Sequence, residues 1–367
     1  MAAEGERLTM ELEAAAIIDH VADRMSADGW NGSRESLRLR RTVVRQFSRQ
    51  FWFDVEGQAA PRAIVVKVCE RRTPRRPRAL HLPVAPPPDF DWSGRAASEY
   101  QALTAIERHF ATVDDPRFGA VRTLGLIPEL NAFITERFEA TSLKATFRRA
   151  SRLNPLTSPR ELPTILSGAG AWLREYQRRP APGGVLRGTR DDFVAATAEL
   201  CQTLIRATGE ERFLVSVRRE MEAAAETVLP QALPTGAAHG DYGQANVLVT
   251  RDRRILVLDT LADWQVPLLE DLAYFLVGID CSRIHVLTGG LAYSARTLEA
   301  ARRAFLDGYL AGGAEPAALA PYETLLVLDR WVAQLGKLDG GLVSRGKRRM
   351  VNDWFRGHTA RTLGRLG

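Results

Sequence analysis

Asp241 lies five residues before Asn246, in the segment His239-Gly240-Asp241-Tyr242-Gly243-Gln244-Ala245-Asn246, and Asp259 follows further along the chain. Two apolar runs, Asn246–Val249 and Ile255–Leu258, flank the polar stretch Thr250–Arg254, a pattern that reads as a β-hairpin. Asn246 opens the first strand of that hairpin and Asp259 closes the second, so their side chains are expected to face one point. An amide oxygen and a carboxylate converging there suit Mg²⁺, a hard cation that completes its shell with water and substrate phosphates. Asp241 is within reach of the same point, where a carboxylate can accept a hydrogen bond from a substrate hydroxyl and aim it at phosphorus. Taken singly, an Asp before a strand is usually a cap and a His is usually a core residue. The joint pattern is rarer: at ordinary residue frequencies, His-x-Asp followed by Asn at this spacing arises by chance in roughly one or two chains in a hundred of this length.

Positioning these groups requires a scaffold, and the chain changes character along its length. Apolar residues at helical spacing predict a helix over 8–28. Strands are expected at 37–44, 51–55 and 63–68, and a meander of antiparallel strands is the economical arrangement. Residues 73–92 hold six prolines, few of whose positions could join a ladder, and read as an exposed loop. A helix is predicted over 95–110 and two more strands over 124–127 and 132–135. From 140 to 230 the period is helical, interrupted at Pro155, Pro159, Pro163, Pro180 and Pro182. The strand-like island at 237–258 follows, then helices to the end. Two lobes are expected, 1–135 and 136–367. Gly168-Ala169-Gly170-Ala171 sits within a predicted helix, where small residues allow close helix approach.

With 367 residues, 45% hydrophobic and 26% charged, the composition is that of an ordinary globular protein. No apolar run reaches the roughly 18 residues of a membrane span, and the acidic, amphipathic N-terminus does not resemble a secretion signal. Three widely separated cysteines, Cys69, Cys201 and Cys281, fit neither a disulfide framework nor a zinc site, and a reducing cytoplasm is the expected location. The net charge is +6 with a pI near 9.5. The arginines are dispersed, and their prevailing interpretation is solvated faces. No zinc-finger spacing, basic zipper or aromatic–basic RNA-binding run is present, so no nucleic-acid partner is expected.

The 239–259 segment matches the protein-kinase pattern H-R-D-L-x-x-x-N followed by a metal-binding Asp. Its variant form HGDxxxxNVLV…D resembles the aminoglycoside phosphotransferase and choline kinase branch of the protein-kinase-like superfamily, as does Asp271-Leu272-Ala273 downstream. The resemblance implies an α+β, bilobal protein-kinase-like fold. A small antiparallel-sheet lobe with one key helix and the Pro-rich loop would bind nucleotide. A larger, mainly helical lobe would hold the catalytic loop, the metal and the acceptor. It implies ATP, with GTP an alternative, together with Mg²⁺ and a small-molecule hydroxyl acceptor. Asp241 would be the catalytic base, Asn246 and Asp259 the Mg²⁺ ligands, His239 a scaffold residue, and Asp271 a carboxylate bracing the loop.

The same resemblance assigns Lys67, the only charge in Ile64–Val68, to the nucleotide phosphates, with Glu99 on the next helix as its ion-pair partner. Ile134–Phe138 falls at the expected hinge, where the backbone at Glu136 and Phe138 would meet an adenine edge. Two features depart from the pattern. The stretch Arg45–Arg49 has no glycine, leaving Ser48 or backbone amides to contact phosphate. Thr260-Leu261 follows Asp259, and Asp263 stands near enough to be an alternative ligand, although a cap is favoured. Other functions considered are a kinase-like nucleotide-binding module without turnover and transfer of AMP in place of phosphate. The acceptor would be recognised by residues around 140–180 and from 322 onward, where Arg330, Lys337, Arg345, Lys347, Arg348 and Arg349 favour a neutral or anionic compound over a polycation. Trp264 and Trp331 are expected to serve core packing in preference to stacking on ligand.

Overall fold

The computed structural model describes residues 14–24, 34–45, 48–57, 61–70, 93–153, 160–180, 183–260, 265–338 and 342–366. The Pro-rich loop, Gln46, Phe47, Leu261, Asp263 and Trp264 lie outside the described residues. The chain divides into two compact units, one reaching Ala140 without 115–118, the other taking 115–118 and the chain from Thr141 onward.

The first unit is built on a five-stranded antiparallel sheet in the order β1-β2-β3-β5-β4. Its strands are β1 (Leu37–Val44), β2 (Ser48–Val55), β3 (Ala63–Cys69), β4 (Thr123–Ile127) and β5 (Ala132–Glu136). β2 begins three residues earlier than its sequence suggests, because polar Ser48, Arg49 and Gln50 pair with Cys69, Val68 and Lys67. Side chains alternate across the sheet. Phe51, Phe53, Ile64, Val66, Ala132 and Ile134 pack on one face against Ala14, Ile17 and Val21 of α1, a helix over 14–24. The opposite face carries Cys69 and Phe133, packed against Ala96 and Leu103 of α2 (Arg95–Ala111). Gly94 gives α2 no side-chain cap, and Asn131 supplies one from outside the helix. Its Oδ1 accepts the Ala96 N–H at 3.0 Å while its Nδ2 donates to the Cys69 carbonyl at 2.8 Å. That pair of bonds fixes the start of α2 against the end of β3.

A short strand, β6 (Ala140–Ser142), spans the boundary between the units, and the second unit is mainly helical. It contains α3 (Leu143–Arg149), α4 (Leu162–Gln177), α5 (Arg190–Thr208) and α6 (Glu211–Val228). Pro163 sits in the first turn of α4, where its missing N–H costs nothing. Four short strands follow: β7 (Thr235–Ala237), β8 (Val247–Thr250), β9 (Ile255–Val257) and β10 (Gln265–Pro267). β8 and β9 pair antiparallel, forming the hairpin that the two apolar runs predict. The chain closes with α7 (Leu268–Asp280), α8 (Arg283–Leu287), α9 (Ala295–Leu310), α10 (Leu319–Leu335) and α11 (Leu342–Leu363). Trp331 is fully buried in α10, stacked on Phe355, and donates to Asn352 Oδ1 at 3.0 Å, so it is a core residue as expected. No helix among the described residues is long and apolar enough to cross a membrane.

The small residues of α4 are explained by α9. A Cβ on Gly170 would stand 2.0 Å from the Phe305 carbonyl oxygen, and one on Gly308 would stand 1.9 Å from that of Ser167. Both contacts are with backbone, so neither Gly170→Ala nor Gly308→Ala can be absorbed by rotating a side chain. Each is expected to lower the unfolding free energy by about 1–3 kcal/mol or more in urea titrations. Gly278→Ala, in α7 with open space around it, should instead raise it by about 0.5–1 kcal/mol.

Candidate active site

The loop that carries Asp241 is anchored by one carboxylate. Asp271, in the first turn of α7 and fully buried, accepts the His239 N–H at 2.7 Å and the Gly240 N–H at 3.0 Å. Gly240 has φ +80°, a left-handed backbone that suits glycine and turns the chain so that both amides meet Asp271. Burial pushes the Asp271 carboxyl up to about 7, with the two amides pulling the other way.

His239 lies in an aromatic wall of Tyr176 and Tyr242. Its Nδ1 accepts the Asp241 N–H at 3.3 Å, which places the ring proton on Nε2. Desolvation lowers its pKa to about 3, so the ring is neutral. Tyr242 is fully buried and donates to the Ala169 carbonyl of α4 at 2.7 Å. Tyr176 joins the two arms of the site: its hydroxyl donates to the Ala238 carbonyl at 2.7 Å and meets Thr260 Oγ1 at 3.1 Å. Arg179 donates to the same hydroxyl at 3.1 Å.

Asp241 points both oxygens at donors. Oδ1 accepts from the Tyr274 hydroxyl at 2.7 Å, and Oδ2 accepts from Asn246 Nδ2 at 3.0 Å. Asn246 Nδ2 also donates to the Asp241 carbonyl at 2.9 Å. Both of its contacts are acceptors, which identifies the nitrogen and leaves Oδ1 as the amide's acceptor. Burial raises the Asp241 pKa, opposed by Tyr274, Arg330 and Asn246 and reinforced by the negative charge of Asp259. The Arg330 guanidinium stands 4.2 Å from the centre of the Tyr274 ring.

Asn246 immediately precedes β8, and its carbonyl accepts the Leu258 N–H at 2.9 Å, closing the end of the hairpin that carries Asn246 and Asp259. Asp259 has φ +57°, a left-handed conformation that is uncommon outside glycine and concentrates at functional sites. Asp241 and Asn246 are thus joined directly, and Asp259 is near enough to act electrostatically on Asp241 and His239. Among the described residues, no three His, Cys, Asp or Glu side chains group to hold a metal. One carboxylate and one amide oxygen is instead the donor set of a Mg²⁺ site completed by phosphate and water, so the residues present fit that ion.

In the first unit, Lys67 and Glu99 form a buried ion pair, with Arg95 Nε 3.8 Å from Glu99 and the Lys67 ammonium 5.8 Å from the centre of the Phe133 ring. Ser48 is buried opposite Cys69, on the face of the sheet that carries Lys67. Glu136 ends β5 and its amide donates to the Arg122 carbonyl at 3.0 Å, while Arg137 N–H donates to Ala63 at 2.9 Å. Phe138 is half-buried two residues beyond.

Residues 40–322 match the model of the phosphotransferase enzyme family APH. The chain belongs to this family. It is therefore a small-molecule phosphotransferase acting on a hydroxyl group. No curated protein matches its sequence. Solved structures give the fold. A choline/ethanolamine kinase family protein from Mesorhizobium loti is 15% identical with a TM-score of 0.50, covering 90% of this chain and 92% of that one. Choline kinase from Cryptosporidium parvum is 10% identical with a TM-score of 0.53, covering 89% of each. A thermostable mutant of aminoglycoside phosphotransferase APH(4)-Ia, in ternary complex with AMP-PNP and hygromycin B, is 17% identical with a TM-score of 0.52, covering 90% and 95%. The fold is the α+β protein-kinase-like one.

Within this phosphotransferase, Tyr274, Arg330, Tyr176 and Thr260 surround the motif; Tyr274 and Tyr176 were not singled out in the sequence, Arg330 only as one of several C-terminal cations and Thr260 only as a departure from the pattern. Only Tyr274 carries a local signal, standing one helical turn after Asp271 on the same face of α7. Asp271→Asn leaves one oxygen to serve two buried amides and should lower the unfolding free energy by about 1–3 kcal/mol. His239 binds its proton more weakly in the folded chain than its ordinary value of 6.5. Its contribution is intact above that value and is lost as pH falls from 6.5 toward 3, where the unfolded chain alone is protonated. The stability advantage of wild type over His239→Asn should therefore shrink by up to about 1.4 kcal/mol per pH unit across that window in urea titrations.

Proposed function

We propose that the protein transfers the γ-phosphate of ATP to the hydroxyl of a small molecule, with Asp241 as the base. The observation that carries this is the Asp241 carboxylate, half-buried at a loop fixed by Asp271 and oriented by Tyr274 and Asn246. Its raised pKa suits a group that must take a proton near neutral pH. The acceptor oxygen forms a bond to the γ-phosphorus as the bond to the β,γ-bridging oxygen breaks. ADP leaves with the electron pair, and the hydroxyl proton passes to Asp241.

Asn246 Oδ1 and Asp259 would hold Mg²⁺, which when bound neutralises charge on the phosphate oxygens. Lys67, held by Glu99, would hold the phosphates, with Ser48 and the neighbouring backbone amides covering them. The Glu136 carbonyl and the Phe138 amide would meet the base edge, the Glu136 amide being already bonded. A relative's ternary complex with AMP-PNP and hygromycin B supports a nucleotide and a hydroxyl-bearing compound as the two ligands. Excess arginine and lysine toward the C-terminus supports a neutral or anionic acceptor.

The test is Mg²⁺-dependent ATP consumption over a panel of sugars, glycosides and aminoglycosides, with product masses measured. Gain of one phosphate is expected; gain of AMP would point to nucleotidyl transfer, and nucleotide binding without any product to a non-catalytic module. Asp241→Asn should lower kcat by about 10²–10⁴-fold. Unchanged turnover in that variant, alongside loss in Asp259→Asn, would refute the base assignment. Tyr274 holds the Asp241 pKa down, so Tyr274→Phe should move the acidic limb of the kcat/KM profile to higher pH.

A further inference from the structure

Asp259 has a left-handed backbone at φ +57°, a conformation that costs energy outside glycine and persists only where its surroundings hold it. The flank before it is held by the hairpin, where the Leu258 N–H donates to the Asn246 carbonyl at 2.9 Å. The flank after it is held by a side chain. Thr260 is 2% exposed, and its Oγ1 lies 3.1 Å from the Tyr176 hydroxyl of α4.

The direction of each bond at that hydroxyl follows from what its partners can do. The Ala238 carbonyl can only accept, so Tyr176 gives its one proton there, at 2.7 Å. Arg179 Nη2 can only donate, and it reaches the same oxygen at 3.1 Å. With the phenol proton spent, Thr260 is the donor in the remaining contact. Burial raises the Tyr176 pKa, which keeps the proton in place. The ring itself is fixed. It is fully buried and stacked on Trp172 with ring centres 5.3 Å apart, and the Arg179 guanidinium stands 4.8 Å from its centre. α4 is in turn locked to α9 by the close contacts at Gly170 and Gly308.

Ala238 stands three residues before Asp241, and Thr260 directly follows Asp259. One phenol oxygen therefore ties the loop that carries Asp241 to the arm that carries Asp259. The protein-kinase pattern has Phe after its metal-binding Asp. In this chain Thr260 stands there, and a hydrogen bond holds it.

We propose that Tyr176 and Thr260 are positioning residues, their bond keeping Asp259 at the place, relative to Asp241 and Asn246, from which its carboxylate meets a divalent cation. The inference rests on the reading of Asn246 and Asp259 as the Mg²⁺ ligands. Neither hydroxyl is itself a ligand; each acts through the backbone it fixes, as groups behind a metal's own ligands commonly do.

The experiment is titration of the full chain with Mn²⁺, a paramagnetic substitute for Mg²⁺, followed by the relaxation of water protons. Thr260→Val keeps the side-chain shape and removes only the hydroxyl, and Tyr176 retains both Ala238 and Arg179. The Mn²⁺ dissociation constant should therefore rise about tenfold while the melting temperature stays close to that of wild type. Thr260→Ser, which restores the donor, should bring the affinity back. Tyr176→Phe should weaken Mn²⁺ binding too, and should also lower the melting temperature, because Ala238, Arg179 and Thr260 all lose a partner. Asp259→Asn should bind more weakly than any of these. Wild-type affinity in Thr260→Val would overturn the proposal, as would a loss in Thr260→Val that Thr260→Ser does not restore. Asp259→Asn binding Mn²⁺ as tightly as wild type, whatever Thr260→Val does, would instead remove the metal reading on which the proposal stands.

Discussion

A single buried carboxylate, Asp271, sets the geometry of the loop that carries Asp241. Taking an ionised carboxylate out of water costs several kcal/mol, and only close, well-directed donors offset it. Here the donors are two backbone amides of the catalytic loop itself, His239 and Gly240. Charge-assisted hydrogen bonds contribute about 1.5–3 kcal/mol each, so two roughly balance the desolvation and neither is dispensable. The loop is therefore held where both amides reach α7. One turn further along α7, Tyr274 grips Asp241. The loop backbone and the Asp241 side chain are thus located by the same helix.

The first unit uses the same principle with opposite ends. Lys67 and Glu99 are both buried, and each makes the other's burial tolerable. Their meeting depends on Asn131, which accepts from the start of α2 with one side-chain atom and donates to the end of β3 with another. Glu99 sits one turn into α2, so fixing the helix start also fixes the carboxylate. Asn131 adopts φ +46°, a backbone that asparagine tolerates better than most residues, and this lets its side chain face both elements.

Much of this was legible in the sequence because it is local. The hairpin of β8 and β9, the approach of Asp241 to Asn246, and the strand carrying Lys67 all follow from spacing and alternation over a few residues. The small residues of α4 announced close packing, but their partner, Gly308, could not be identified because the two helices meet across more than a hundred residues of chain. Arg330 was read only as part of a basic C-terminus. Its position over the Tyr274 ring is a tertiary fact, as is the reach of Tyr176 from Ala238 to Thr260. The early start of β2 was hidden for a different reason: Ser48 and Gln50 are poor strand formers that the ladder with β3 overrides.

The basic composition also has an answer that dispersal on solvated faces does not cover. The helical unit buries two glutamates, Glu270 on α7 and Glu323 on α10, and both are matched by arginine. Arg187 contacts Glu270 through two nitrogens at 3.1 and 3.0 Å, and Arg302 and Arg365 converge on Glu323. A planar fork satisfies both carboxylate oxygens at once and keeps its charge when desolvated, which lysine's point charge does not do. Burial raises the pKa of both glutamates while the arginines lower it. Part of the arginine excess is therefore internal, tying α7 to the segment before α5 and α10 to α9 and to the chain beyond α11. Since α7 carries Asp271 and Tyr274, and α10 carries Arg330, those pairings bear on the alignment of Asp241 itself.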